Sequence, residues 1–130
     1  DFFHFSDVVT LHLRLVPATR GIVKLEDLRS MKPTALFVNT SRAELVEEGA
    51  LLTALETGVP GMAAVDVYES EPIFDPNYPL LQLPNVLCTP HIGYVEKNGY
   101  ERLFRLAFEN IVAFSEGNPQ HIANPEVLTH

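Results

Sequence analysis

The sequence predicts an α/β fold built on a mostly parallel, doubly wound sheet. Three observations predict it. Short β-branched and apolar runs of strand length alternate with stretches of helical periodicity. Pro17 and Gly21, Pro33, and Gly58 with Pro60 bound these segments, giving the order strand, helix, strand, helix, strand, loop, strand, helix. Finally, Arg42, Glu71 and His91 each follow an apolar run, at the carboxyl ends of strands where an open parallel sheet collects its ligand-binding side chains.

Taken in order, Val8 to Leu13 reads as the first strand, and Pro17 with Thr19, Arg20 and Gly21 as the loop after it. Leu25, Leu28 and Met31 share one face of a short helix that Pro33 terminates. Ala35 to Asn39 is the second strand. Val46, Leu51, Leu52 and Leu55 give helical spacing, and Gly58 followed by Pro60 closes that helix as a C-cap glycine and a proline do. Ala63 to Val67 is the third strand.

Tyr68 to Leu83 is rich in proline, aromatics and acids, and reads as an ordered, irregular and long loop. Val86 to Thr89 is the fourth strand, and a helix runs from Glu96 to Glu116. Its apolar set, with Leu103, Leu106, Phe108, Ile111, Val112 and Phe114, is wider than one narrow stripe and implies packing on more than one partner. Gly117 and Pro119 stop it. The order of elements implies helices covering the faces of a four-stranded half-sheet.

Composition bounds the rest. A chain of 130 residues with 46% hydrophobic content can bury one core. Its net charge of -8, with no basic cluster, argues against a nucleic-acid partner. The single Cys88 permits no disulfide within the chain, and no zinc-ligand spacing occurs, so no metal is expected. No stretch approaches the roughly 20 apolar residues of a membrane span, and no signal sequence opens the chain. A cytoplasmic protein without membrane partners is expected. The opening DFFHFSDVVTLHL lacks Met and enters a strand almost at once, which reads as a piece of a longer protein. No GxGxxG loop follows any strand, so a phosphate-cradling loop for a dinucleotide would lie upstream.

The constellation of Arg42, Glu71 and His91 suits hydride and proton chemistry on a carboxylate. Several stretches carry a specific resemblance: SDVVTLHL, TRGIV, MKPTALFVNTSRAELVEEGALLTAL, AAVDVYESEP and LPNVLCTPHIG. In this order and spacing they resemble the D-isomer-specific 2-hydroxyacid dehydrogenases, over nearly the whole chain. The resemblance implies a Rossmann-like fold, present as the C-terminal half of the dinucleotide-binding domain. Residues 1–94 would carry that half with its catalytic residues, and residues 95–130 the long return helix and tail toward a substrate domain.

It also implies roles. His91 looks like the acid/base, since imidazole can both give and take a proton near neutral pH. Glu71 matches its carboxylate partner, which stabilises the imidazolium. Arg42 looks like the clamp for a 2-oxo acid, because its planar fork matches a carboxylate as Lys does not. Thr40, Ser41 and Arg42 match the segment lining the nicotinamide side, Asp66 the acid near the nicotinamide, and His12 a histidine that contacts the nucleotide. Gly93, next to His91, would let backbone approach the ring.

Each residue has a plainer reading: Arg42 as a surface ion-pair residue, Glu71 as a solvated acid with Glu69 as an alternative, His91 as a structural histidine, His12 as a core or edge residue, and Gly93 as a turn former. His4, His121 and His130 read as solvent-facing. The chain departs from the family's usual pattern at Arg14, where Pro is common, at Ala43, where Gly is common, and at Tyr94, where a small residue is common.

The function that the resemblance implies is hydride transfer between a nicotinamide cofactor, NAD by default with NADP left open, and a small 2-hydroxy or 2-oxo acid. A homodimer is expected, its interface on the nucleotide-binding domain; the helix face through Leu106 and Phe108 would serve it or an internal core. Two other readings stand beside the enzyme: a dinucleotide-sensing binding protein of the corepressor kind, and an inactive half-domain that self-associates through its open edge.

Overall fold

The computed structural model describes residues 2–128. Two compact units divide at Gly93, one of Asp1–Gly93 and one of Tyr94–His130. In the first, β1 (Val8–Leu11), β2 (Leu36–Asn39), β3 (Met62–Val65) and β4 (Val86–Cys88) form one sheet in the order β1-β2-β3-β4, every pair parallel. Between the strands lie α2 (Leu25–Arg29), α3 (Ala50–Glu56) and α4 (Pro79–Gln82), and α1 (Phe2–Phe5) precedes β1.

The register explains how side chains distant in sequence are gathered. Leu11, Asn39, Val65 and Cys88 are partners across the sheet, so the four strands finish in one row. The chain leaves that row at His12, Thr40, Asp66 and Thr89. Alternation then decides what is buried: Val9 and Leu11, Phe37 and Asn39, and Ala63 and Val65 point into the core, where Leu28 of α2, Met31 beyond its end rather than on it, and Ala50, Ala54 and Leu55 of α3 meet them. The opposite face carries exposed Val8, Met62 and Leu87, so within this unit the helices bury one face of the sheet rather than both.

Several elements differ from the expectation. Each strand is shorter than its apolar run: β1 stops before His12 and Leu13, and β3 before the buried Asp66 and Val67. Of these, Asp66 and Val67 leave the ladder while remaining buried, and His12 and Leu13 leave it exposed. Val46 does not belong to a helix. It forms an isolated parallel bridge with Val23, after a 3-10 turn at Ala43–Leu45, and α3 begins only at Ala50. The helix α2 ends at Arg29 with Ser30 as its cap, ahead of Pro33. The proline-rich loop contains α4, opened by Pro79 in its first turn, where the missing N–H of proline costs nothing. The N-terminal α1 was not expected.

In the second unit α5 (Lys97–Ser115) is capped by Glu96, whose carboxylate accepts the N–H groups of Asn98 and Gly99. Glu116 follows as the C-cap and Gly117 takes a left-handed φ of 76°. No residue of α5 is buried, and Leu103, Phe108, Ile111 and Phe114 are all exposed. No helix of the described residues is long and apolar enough to cross a membrane. His4 and His121 are exposed, the former donating from Nδ1 to the Ser30 carbonyl; His130 lies outside the described residues.

Candidate active site

The site is built on two buried polar side chains, Asn39 and Asp66, each 2% exposed. Asn39 ends β2 on its inward face. Its Nδ2 donates to the Arg42 carbonyl at 2.9 Å, and its Oδ1 accepts the Ser41 N–H at 3.1 Å. That pair of bonds closes the loop carrying Thr40, Ser41 and Arg42. Ser41 then donates its hydroxyl to the Leu13 carbonyl at 2.7 Å, tying the β2 loop to the chain leaving β1. The Arg42 guanidinium donates from Nη1 to the Ser41 carbonyl at 2.6 Å and forms no ion pair among the described residues. His12, Arg14, Ser41 and Arg42 thus line one cleft without a carboxylate in its wall. His12 is exposed there and shares a hydrogen bond of 3.0 Å with Thr10 through Nε2.

Asp66 does for β4 what Asn39 does for β2. Its Oδ1 accepts the Ile92 N–H at 2.9 Å and the Thr89 hydroxyl, and its Oδ2 accepts the Gly93 N–H at 2.6 Å. Burial alone pushes this carboxyl up, but the Thr89 hydroxyl, the two N–H groups and the charge of His91 outweigh it, and the net shift is below the ordinary 3.8. A carboxylate that accepts three donors is held ionised at the root of the loop. Gly93 is pressed against it: a Cβ there would stand 2.8 Å from Asp66 Oδ2 and 3.5 Å from the Thr40 Cβ. Glycine leaves a bare stretch of backbone between the β2 and β4 loops, the kind of surface against which a flat ring can lie.

On this loop His91 adopts a left-handed φ of 56°, uncommon for a residue with a side chain. Strain of this kind persists where the surroundings over-determine it, and it concentrates at functional positions. The conformation brings His91 Nδ1 to 2.6 Å from Glu71 Oε2. A carboxylate can only accept, so Nδ1 carries the proton and the free ring nitrogen is Nε2. Glu71 Oε1 is occupied by the Tyr68 N–H at 2.8 Å. Burial raises the Glu71 carboxyl, while the bonds from His91 and Tyr68, with the charges of His91 and Arg42, bring it below its ordinary 4.5. The Arg42 charge therefore reaches Glu71 from the loop that follows β2. Glu69, the alternative acid, accepts the Gly49 N–H at 3.2 Å instead, so Glu71 is the carboxylate that meets His91.

The structure thus brings the sequence-derived residues to one end of the sheet in three groups: His12, Ser41 and Arg42 at one cleft; Thr40, Asp66 and Gly93 at the centre; and Glu71 with His91 at a second cleft of about 480 Å3, walled by Tyr68, Ile73, Leu81 and Cys88. Asn39, Tyr68 and Thr89 were not singled out from sequence. For Asn39 a signal existed, since strand alternation puts it on the same inward face as Phe37, and a buried amide needs partners.

Residues 1–93 match the family described as D-isomer specific 2-hydroxyacid dehydrogenase, NAD binding domain. A glyoxylate reductase of Aeropyrum pernix is 40% identical over 129 residues, which are 98% of this chain and 38% of that protein. A phosphoglycerate oxidoreductase from Vibrio cholerae superposes with a TM-score of 0.80 at 62% identity, covering 89% of this chain and 37% of the other. A D-isomer specific 2-hydroxyacid dehydrogenase from Xanthobacter autotrophicus Py2, in complex with NADPH and MES, gives a TM-score of 0.67 at 35% identity, with 91% of this chain and 48% of the other covered. This chain spans less than half the length of each. With its four-stranded parallel sheet and its match over residues 1–93, the chain belongs to the D-isomer specific 2-hydroxyacid dehydrogenases, as part of their NAD binding domain.

Proposed function

We propose that the protein to which this chain belongs reduces small 2-oxo acids to D-2-hydroxy acids with a nicotinamide cofactor, and that Arg42, Glu71 and His91 carry the chemistry. The observation that supports this most is the 2.6 Å contact of His91 Nδ1 with Glu71 Oε2 on a left-handed turn at the carboxyl end of the sheet. The imidazole is thereby oriented, its Nδ1–H held by a carboxylate whose own titration is lowered.

The bare backbone at Gly93, flanked by Thr40 and Asp66, fits the face of a nicotinamide, and His12, Thr40, Ser41, Arg42 and Gly93 would hold that side of the cofactor. Asp66 acts through the loop, since its oxygens are taken by Thr89, Ile92 and Gly93. When bound, the cofactor supplies the hydride. Arg42 pairs with the substrate carboxylate, and its fixed fork orients the neighbouring carbonyl. His91 gives a proton from Nε2 to the carbonyl oxygen as the hydride reaches the carbon, and recovers it from solvent for the next turnover. In the oxidative direction the same nitrogen takes the hydroxyl proton. NAD is the proposed cofactor, on the family's description; a homodimer in the cytoplasm is the proposed state.

The experiment is a steady-state assay of the full-length protein with NADH and NADPH against glyoxylate, hydroxypyruvate and longer 2-oxo acids, with H91N alongside. Oxidation of the reduced cofactor that depends on the 2-oxo acid and collapses in H91N supports the reading. Tight dinucleotide binding without turnover of any 2-oxo acid would replace the enzyme by a sensor.

A further inference from the structure

Tyr68 bonds one member of the candidate dyad, Glu71, and the Thr89 carbonyl that the other, His91, bonds in turn. It lies beyond β3, just past the buried Asp66 and Val67, with its ring half-buried and edge-on to Tyr78 at a centroid distance of 6.0 Å and an interplanar angle of 87°. Its backbone N–H holds Glu71 Oε1 at 2.8 Å, while the other oxygen of that carboxylate takes His91. Its phenol reaches across to the next strand and donates to the Thr89 carbonyl at 2.8 Å.

That carbonyl is the pivot of the His91 turn. The His91 N–H donates to it at 3.1 Å, and the Thr89 side chain is fixed by the hydroxyl bond to Asp66. The left-handed conformation of His91 therefore rests on a peptide held from two sides, by Asp66 through the Thr89 side chain and by Tyr68 through the Thr89 carbonyl. Two chain segments that must keep Glu71 and His91 in register are joined by this one residue.

We propose that Tyr68 is a positioning residue for the His91–Glu71 pair, its hydroxyl locking the Thr89 carbonyl and thereby the orientation of the imidazole. The inference rests on the proposed function. It assigns the phenol no proton transfer: burial, with Cys88, Asp66 and Glu71 nearby, drives its ionisation well above the usual range, so it remains a donor at every working pH. A phenylalanine would keep the ring edge-on to Tyr78 and lose the bonds of the hydroxyl, to the Thr89 carbonyl and to the Cys88 thiol, of which only the first bears on the His91 turn.

The test compares Y68F with the wild-type full-length protein in two readouts. In turnover, kcat falls about tenfold, the worth of one neutral hydrogen bond when it is expressed only in the transition state, and KM for the 2-oxo acid stays unchanged. In proton NMR, the low-field resonance of the His91 Nδ1 proton, assigned by its loss in H91N, moves or broadens in Y68F. A Y68F enzyme with unaltered kcat and an unaltered resonance overturns the proposal. So does one whose KM rises with kcat unaltered, which would place the hydroxyl in substrate binding. The resonance is read without turnover, so a wild-type protein that reduces no 2-oxo acid overturns the function while the spectra still decide whether Tyr68 positions the pair.

Discussion

Asp66 donates its backbone N–H to the Asn39 carbonyl at 3.0 Å, so the backbones of the two buried polar residues among the described residues are joined where β2 ends and the chain leaves β3. Each then turns its side chain into a loop, Asn39 into the one that follows its own strand and carries Arg42, Asp66 into the one that follows β4 and carries Gly93. A buried amide and a buried carboxylate each lose hydration and must be repaid in full by partners. Here the partners are loop N–H and C=O groups and the Thr89 hydroxyl, so the same bonds that make burial tolerable also fix the loops that carry Arg42 and His91. The first prediction concerns what happens when one of them is removed.

Asp66→Asn leaves one of three loop donors facing an amide N–H in place of an acceptor, at a cost of about 1–3 kcal/mol. The pH dependence follows from the direction of the shift. The folded carboxyl titrates below the ordinary 3.8, so its contribution is present above that value and is lost as pH falls through the lowered folded value. Glu71, lowered from 4.5, contributes with the same sign. Urea melts across the acid range should show stability falling on acidification in the wild type, and a lower, flatter profile in D66N. An acid limb as steep in D66N as in the wild type would remove Asp66 from the linkage.

His91→Asn separates backbone strain from chemistry. Asparagine tolerates the left-handed φ of 56° better than most side chains, so the loop keeps its shape while the titrating ring is gone. The expected outcome is a loss of about 10²–10⁴ in kcat with little change in KM for the 2-oxo acid. A kcat within a few-fold of wild type would take the proton-transfer role away from His91.

Arg42→Lys keeps the positive charge that lowers Glu71 and removes the fork. If Arg42 pairs with the substrate carboxylate through two N–H groups, the variant loses a charge-assisted hydrogen bond of about 1.5–3 kcal/mol, read as an increase in KM for the 2-oxo acid. The affinity for NADH, measured separately by fluorescence titration, should change far less. Equal losses for both ligands would point to collapse of the loop held by Asn39.

Much of this site was legible because strand ends announce themselves: NTSR after β2, VDVYESEP after β3 and TPHIG after β4 put Arg42, Glu71 and His91 where a parallel sheet places ligand-binding groups. The strand limits were less legible, since Asp66 and Val67 stay buried after leaving the ladder, and burial rather than pairing governs which residues are apolar. Val46 shows a related limit. Its spacing from Leu51 and Leu52 fits a helix, but a single bridge to Val23 makes the same demand for an apolar side chain. Pro79 was read as a loop residue although proline also opens helices, as it does α4. Alternation could have shown that Asn39 is buried, but its partners, like the role of Tyr68, are bonds to a loop whose shape the sequence does not display. The left-handed backbone of His91 belongs to the same class.

Gly93→Ala tests how tightly the Asp66 clamp is drawn. The new Cβ would meet Asp66 Oδ2 at 2.8 Å, the same oxygen that accepts the Gly93 N–H at 2.6 Å, so methyl and hydrogen bond compete for one atom. Either Asp66 moves and loosens its hold on Ile92 and Thr89, or the loop lifts away from Thr40. Both outcomes lower stability, by about 1–3 kcal/mol for overpacking against the buried Asp66 carboxylate, and both disturb the bare backbone proposed to face the nicotinamide. Because Asp66→Asn already weakens the same clamp, the double variant D66N/G93A should cost less than the sum of the single variants, with a coupling of about 0.5–3 kcal/mol in unfolding free energy. Strict additivity would mean that the methyl group is accommodated away from Asp66, and that Gly93 is required by the turn itself rather than by its contact with the carboxylate.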